Sequence, residues 1–595
     1  MDLLWSASTT MRNPERTISF LKTAVEIDGK EWNHATQEEY QIRLIRNRYY
    51  TPTETNLSDK LYALITNYNH EFTLEEATEI FRRKNYEDPP MRGRTSFDPL
   101  EKLGLVSLDI DNNRIKRVKI TDFGRLFLDN KIGLNDVVFT SLLKTQFPNP
   151  LENGRRDYNI KPFIGTLRLI KRVNELCVIH RINAVGISRE EFGIFVLSLK
   201  SYLDIEDIAH RIIAFRSAKR SLPTEEEKSE FVHGFISHYL RNFHNPHKNI
   251  KEYTDNIIRY LRLTKYIYIR GGGYYIDLEP RRIIEINSIL HIDLGAAKTF
   301  TLDDYKKYIS DYNAYLLPFE TIEKLTEIAH RIIKENVELS ANIGLTYNVP
   351  KISDNISELN TAINELREYR SYLKNLLIKQ EYEETTKIEE AITALDDILS
   401  RRIRNIKPSI ALEKWVNIAL NIINDAILIK PNAPLGDDSE PTFTAPQGVP
   451  DIECYYNDFG AICEVTMLTG RDQWYNEGQP VMRHLRNFEN NSTQNENYCL
   501  FIAPKLHVDT LNTFWIAVKY EYEGKSQKII PITISGLIKL LDIIKNLKLK
   551  RKVFTHEILK YFYERCVNIT NIGASNRWTN HINNIIDEWG NELLN

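Results

Sequence analysis

The run GAICEVT from Gly460 to Thr466 reads as a strand destined for a core, yet it carries Glu464 among apolar neighbours. Strands do not bury charge unless something compensates it. Asp451 stands thirteen residues earlier, at the head of DIECYY, and the two segments flank a polar turn from Asn457 to Gly460. That pattern predicts an antiparallel hairpin. Pairing then brings Asp451, at the start of one strand, and Glu464, in the returning strand, to the same sheet edge. Two oxygen donors there suit a hard cation such as Mg2+, which keeps waters of its own and bridges phosphate oxygens. Such an ion lowers the pKa of an attacking water and neutralises charge on a phosphodiester.

Three more residues join the pair. ALEKWVNIALNIINDAILI, residues 411–429, predicts a helix with a dense apolar face, and Glu413 on it is a further carboxylate able to face the sheet. Glu477 and His484 are seven apart, on one helical face if the segment PVMRHLRNF is continued backwards as helix. Pro480 instead favours a helix that begins there, since proline is tolerated in a first turn, and this would put Glu477 on a loop. His484 either orients a water and receives its proton or is a satisfied structural histidine. Five cysteines, Cys177, Cys454, Cys463, Cys499 and Cys566, lack the paired spacing of a zinc site or disulfide framework, which leaves reduced core thiols.

NYCLFIAPK and KIIPITI are further strand candidates, with helices around Leu511 to Tyr520 and Leu537 to Leu547. Strand, helix, strand order implies a mixed sheet covered by helices over 401–595. Before it, 311–400 is a run of helical segments too irregular in heptad phase for a long coiled coil, and is expected to be a connector.

The first half holds two similar patterns. Phe97 to Thr121 reads as helix, strand, polar turn at Asp111 to Asn113 and returning strand; Asn256 to Pro280 repeats the scheme around Gly271, Gly272 and Gly273. Helices starting after Thr73 and Ser188, each with two glutamates in its first turn, lie upstream. Two tandem winged helix-turn-helix modules are expected, over 1–150 and 151–310. Residues 81 to 120 hold ten Lys/Arg against six Asp/Glu. Candidate DNA contacts there are Arg92 and Arg94 on the recognition helix with Lys116, Arg117 and Lys119 on the wing; their counterparts are Arg259, Arg262, Lys265 and Arg270. Winged modules also serve as protein-binding or structural domains.

At 595 residues the chain exceeds one core, and 42% hydrophobic with 27% charged residues describes a globular protein. A formal charge of −3 makes any nucleic-acid surface patchy. MDLLWSASTTMRNPERT has no basic segment leading an apolar run, and no stretch approaches a membrane span, so a cytoplasmic protein without a membrane partner is expected.

Pro450-Asp451 followed by Glu464-Val465-Thr466 looks like the PD…ExK nuclease pattern. With Glu413, Glu477, His484, GQPVMRHL and YCLFIAPK, the ordered set resembles the AlwI-type family of restriction endonucleases. That family includes nicking endonucleases and large subunits of heterodimeric type IIS enzymes. The resemblance implies N-terminal recognition of a short asymmetric sequence in double-stranded DNA and Mg2+-dependent cutting outside it by a PD-(D/E)xK-like domain. It implies a metal centre on Asp451 and Glu464, with Glu413, Glu477 and His484 as further active-site members. Thr466 departs from the wider pattern, which has lysine there and uses it to orient water. One such constellation per chain implies nicking alone, and a duplex break with a second copy or a small nuclease subunit. A non-catalytic DNA-binding protein would use the same first half but not the acidic set. A metal-dependent phosphatase would use the acids but not the winged modules, and a structural connector would use neither end.

Overall fold

Two stretches of the first half share one order of elements. The computed structural model describes all residues except 1, 7–10, 51–57, 68–69, 271–273, 404–406, 424, 434–443 and 447. Gly271 to Gly273, the expected second turn, therefore lie outside the described residues. The chain divides into two compact units, Met1–Ile269 with Tyr275–Lys324 and Leu325–Asn595 with Arg270–Tyr274.

In the first unit, helix α1 (Thr17–Val25) leads to a short extended segment bridged at Glu31 to Arg117. Then come α2 (His34–Arg46), α3 (Asp59–Thr66), α4 (Leu74–Arg83), α5 (Pro89–Lys102) and the hairpin of β1 (Val106–Ile110) and β2 (Lys116–Ile120). Helices α6 (Asp122–Leu128) and α7 (Leu134–Lys144) follow. The second pass has α8 (Pro162–Ile179), β3 (Ile187–Ser188), a helical turn α9 (Arg189–Glu191), α10 (Ile205–Arg220), α11 (Glu225–Tyr239) and α12 (Pro246–Leu263). It closes with β4 (Ile267–Arg270) and β5 (Tyr275–Leu278), where β5 sits between β3 and β4. Each pass is thus helix, short strand, helix, two more helices, long helix, hairpin.

Both expected caps form, and the packing adds a partner that capping does not announce. The Thr73-capped helix α4 forms with its capping box, but the helix packed directly on α5 is α2. Tyr40 and Phe97 meet edge to face with ring centroids 5.5 Å apart, and Ser96 donates to Gln41 at 2.8 Å. A Cβ on Gly93 would stand 1.8 Å from the Gln37 carbonyl oxygen, so only glycine permits this approach. The Ser188-capped helix is also shorter than its pattern suggests: α9 runs into a π-helix at Phe192–Val196. There a Cβ on Gly193 would come within 2.5 Å of Ile250 on α12. Widened turns of this kind accommodate a local mismatch in side-chain packing.

Helices α13 (Ile283–Ile292) and α14 (Leu302–Ser310) complete the first unit, and α15 (Ile322–Asn342), α16 (Ile356–Glu383) and α17 (Thr385–Leu399) form the helical run. Apolar residues of α17, Ile388, Ala391, Leu395 and Ile398, share one core with the C-terminal sheet. Helix α18 (Pro408–Ile423) stops short of the expected 411–429. Asp425 adopts φ +81°, a left-handed backbone that breaks a helix, and the chain turns into strand β6 (Leu428–Pro431).

Strands β7 (Ile452–Tyr455), β8 (Gly460–Val465), β9 (Asn497–Ala503) and β10 (Ile529–Thr533) complete a mixed sheet in the order β10-β9-β8-β7-β6. Strands β8, β9 and β10 are parallel, whereas β7 pairs antiparallel with both β8 and β6. All seven residues of β9 are buried, as a central strand covered on both faces requires. Helices α19 (Arg471–Asn491), α20 (Val508–Lys519), α21 (Ile534–Leu549), α22 (His556–Val567) and α23 (Trp578–Leu594) accompany it. The architecture is helix-rich, multidomain α+β. Among the described residues, no helix is long and apolar enough to cross a membrane.

Candidate active site

The hairpin register decides which side chains meet. Ile452 opposes Cys463, so Asp451, one residue before β7, falls opposite Glu464 on β8. One backbone donor locks the pair: Asp451 Oδ2 accepts from the Val465 N–H at 2.7 Å, and the Asp451 backbone amide lies near enough to the Glu464 carboxylate to favour its charge. Glu464 is 5% exposed.

Helix α19 brings two more groups. It runs unbroken through Pro480, which corrects the expectation of a helix beginning there: Glu477 is helical and not on a loop. A mid-helix proline sacrifices one backbone bond, that to the Asn476 carbonyl, and here the helix accepts that loss. His484 Nδ1 lies 2.8 Å from Glu464 Oε1, while its Nε2 is buried with no hydrogen-bond partner. With Glu464 ionised, Nδ1 carries the proton and the Nε2 lone pair stays free. The Thr466 hydroxyl, at the expected lysine position, lies beside Glu477 and offsets part of the rise that burial imposes on its pKa. Glu413 on α18 is buried and accepts from the Ala445 N–H at 3.1 Å, which ties the segment before β7 to the helix.

The electrostatics follow from crowding. Burial, then the charge of Asp451, pushes Glu413 up to about 8. Burial, with Glu464 and Glu477 nearby, holds Asp451 well above the carboxylate range, and Glu464 is raised by burial and by Glu477 and Glu413. Glu477 is raised by burial, and His484 is lowered chiefly by burial. All five residues singled out in the sequence thus fall into one electrostatically coupled group. Among the described residues no lysine or arginine forms an ion pair with any of the four acids.

The donor chemistry therefore fits a divalent cation: four carboxyls without a cationic partner and one orphaned imidazole nitrogen. A tighter trio lies at the opposite end of the β7–β8 hairpin. Donor atoms of Asp425, His556 and Glu557 come within 4.8 Å of one another, and Asp425 is engaged by the His556 N–H and Nδ1 at the start of α22. Asp425 and Glu557 of that trio are exposed, His556 is half-buried, and the group serves a helix end. Sequence reasoning missed the approach of Thr466 to Glu477 and the Ala445 tether, neither of which has a spacing signal. It also missed Gln473, fully buried, which donates to the Leu468 and Lys505 carbonyls and accepts from the His507 N–H to fix the first turn of α19.

The candidate DNA contacts divide by their partners. Arg94 donates to Gln37 and Asp88, Arg117 to Asp111, Lys119 to Asp109 and Arg259 to Asp255. Arg92 lies over the Tyr86 ring at 4.5 Å. Lys116 and Lys265 are exposed, Arg262 lies near the end of α12, and Arg270 ends β4.

No curated protein matches the chain. Among solved structures, the small subunit (R.BspD6I2) of the heterodimeric restriction endonuclease R.BspD6I aligns at 20% identity, covering 34% of this chain and 97% of its own, with a TM-score of 0.27. That likeness is too distant to bear on function. The family comparison is decisive: residues 101–540 match the AlwI restriction endonuclease family, and with most of its length inside that match the chain belongs to that family of DNA endonucleases.

Proposed function

We propose that this protein is a type IIS endonuclease, recognising a short asymmetric site in double-stranded DNA and hydrolysing a phosphodiester outside it with Mg2+. The observation that carries the reading is the meeting of Asp451, Glu464, Glu477, His484 and Glu413 at one end of the β7–β8 hairpin, acidic and without a lysine or arginine partner. Asp451 and Glu464 would hold the metal, with Glu413 as a further acid. A bound Mg2+ supplies Lewis acidity for water and phosphate. Glu477 and His484 take the place of the missing lysine. Thr466 lies beside the Glu477 carboxylate, and the free Nε2 of His484 accepts a proton from an attacking water.

The division of labour extends to the whole chain. Residues 1–150 and 151–310 act as winged helix-turn-helix modules, 311–400 as a connector and 401–595 as a PD-(D/E)xK-like nuclease domain. In both modules the long helix before the hairpin, α5 or α12, is the recognition helix. One catalytic group per chain cuts one strand, and a second copy or a small nuclease subunit supplies the other cut. The test is single-turnover cleavage by Glu477→Gln and His484→Ala beside a DNA-binding assay. Hydrolysis is expected to fall by about 10²-fold or more with target affinity unchanged. Near-normal hydrolysis in both returns the pair to a structural role.

A further inference from the structure

The basic residues of the two proposed recognition helices are not alike, and one arginine on each is held by a carboxylate. On α5, Arg94 donates from one terminal nitrogen to Gln37 Oε1 at 3.0 Å and from the other to Asp88 Oδ2 at 2.7 Å. Asp88 is the N-cap of the same helix, and its other oxygen accepts from the Met91 N–H at 3.1 Å. On α12, Arg259 places Nε and a terminal nitrogen on Asp255 Oδ2 at 3.1 and 3.0 Å. The other oxygen of Asp255 takes Arg189, the first residue of α9. In each pass an arginine on the long helix is therefore fixed by a carboxylate of that helix or its cap. In each pass, too, the arrangement reaches the preceding helix of the repeat: Gln37 on α2, Arg189 on α9.

These pairs are too exposed to add much stability, with the Arg259 and Asp255 side chains 52% and 42% accessible. A carboxylate on a DNA-facing helix also weakens attraction to phosphate. What the pairs do supply is order. They freeze a long side chain before binding and so remove part of the entropy cost of docking it. A guanidinium carries five N–H donors in a planar fork. Two are engaged in Arg94, and in Arg259 Nε donates while a terminal nitrogen lies 3.0 Å from the same oxygen, which leaves at least three in each for a bidentate contact with guanine O6 and N7. Exposed lysines such as Lys116 on β2 and Lys265 between α12 and β4 are point charges suited to phosphates and carry no such geometry.

We propose that Arg94 and Arg259 each read a guanine in the target, and that Asp88 and Asp255 are positioning residues that set specificity without touching DNA. The inference rests on the recognition reading above and adds that the site contains two separately read G·C pairs, one per module. The test uses the full-length protein on a library of duplexes carrying every single-base variant of its site, with Asp88→Asn, Asp255→Asn, Arg94→Lys and Arg259→Lys. Asparagine caps a helix as well as aspartate does, so Asp88→Asn keeps α5 started, but its single carbonyl oxygen is needed by Met91. Each Asp→Asn change is expected to lower discrimination at one G·C pair by about tenfold, with affinity for unrelated DNA equal or higher. The matching Arg→Lys change should relax the same pair, and the two modules should affect different pairs. Even loss across all positions, or full discrimination in both Asp→Asn proteins, overturns the inference. A wild-type protein without any sequence preference fails differently, because it removes the recognition reading itself.

Discussion

At the scale of residues, the fold gathers four carboxyls, with Glu413 and Glu464 buried and Asp451 and Glu477 half-buried. Asp451→Asn and Glu464→Gln should each abolish cleavage while leaving target binding intact, and full cleavage by either folded variant would remove that residue from the centre. The pKa directions add a test that needs no DNA. Glu413 has an ordinary value of 4.5 and is raised to about 8, and Asp451 and Glu464 move the same way. A carboxyl whose folded pKa is raised stabilises fully below its unfolded pKa, and that contribution is lost as pH rises through the folded value. The metal-free protein should therefore lose melting temperature as pH climbs through this window. Mg2+, which binds the ionised form, should raise Tm more above about pH 8 than at about pH 6. Glu413→Gln should flatten the pH dependence, and an Mg2+ shift that is equal at both values would contradict the assignment. Asp451 and Glu464 were legible because strand pairing has a fixed register. The approach of Thr466 to Glu477 was not, because it depends on how α19 crosses the sheet.

Elements show where local pattern misleads. Thr73 and Ser188 announce helix starts correctly, yet a cap says nothing about which helix packs on which. The partner of α5 is set by Gly93, whose missing side chain lets α2 approach its backbone. Gly93→Ala would drive a Cβ into the Gln37 carbonyl and must part the two helices. A loss of about 1–3 kcal/mol in unfolding free energy is expected, with weakened DNA binding and unaltered residues in the catalytic group. Denaturant unfolding beside a binding titration checks this, and wild-type stability would mean the helices are not so closely apposed. Pro480 misled in the opposite direction: proline usually marks a boundary, but the apolar face through Val481, Met482, Leu485 and Phe488 is buried and holds α19 together across it.

For the whole molecule, the proposed division of labour makes recognition and chemistry separable, with α14 in the unit formed by Met1–Ile269 and Tyr275–Lys324. A fragment of residues 1–324 is expected to bind the target site, to weaken steeply with added salt as phosphate contacts are lost, and to cut nothing. A folded fragment without sequence preference would move recognition into the rest of the chain. The four strands β7 to β10 and the helices between them were readable in outline, but the edge strand β6 was hidden inside an apolar run that looked helical to its end. The central claim is site-directed hydrolysis, and one measurement addresses it most directly. Purified full-length protein is incubated with supercoiled plasmid and Mg2+, in parallel with Asp451→Asn, and every new end is sequenced. The account expects discrete nicks at one fixed distance from a single asymmetric motif, dependent on the metal and absent from the variant. Ends scattered without a motif, or the same ends from Asp451→Asn, would contradict it.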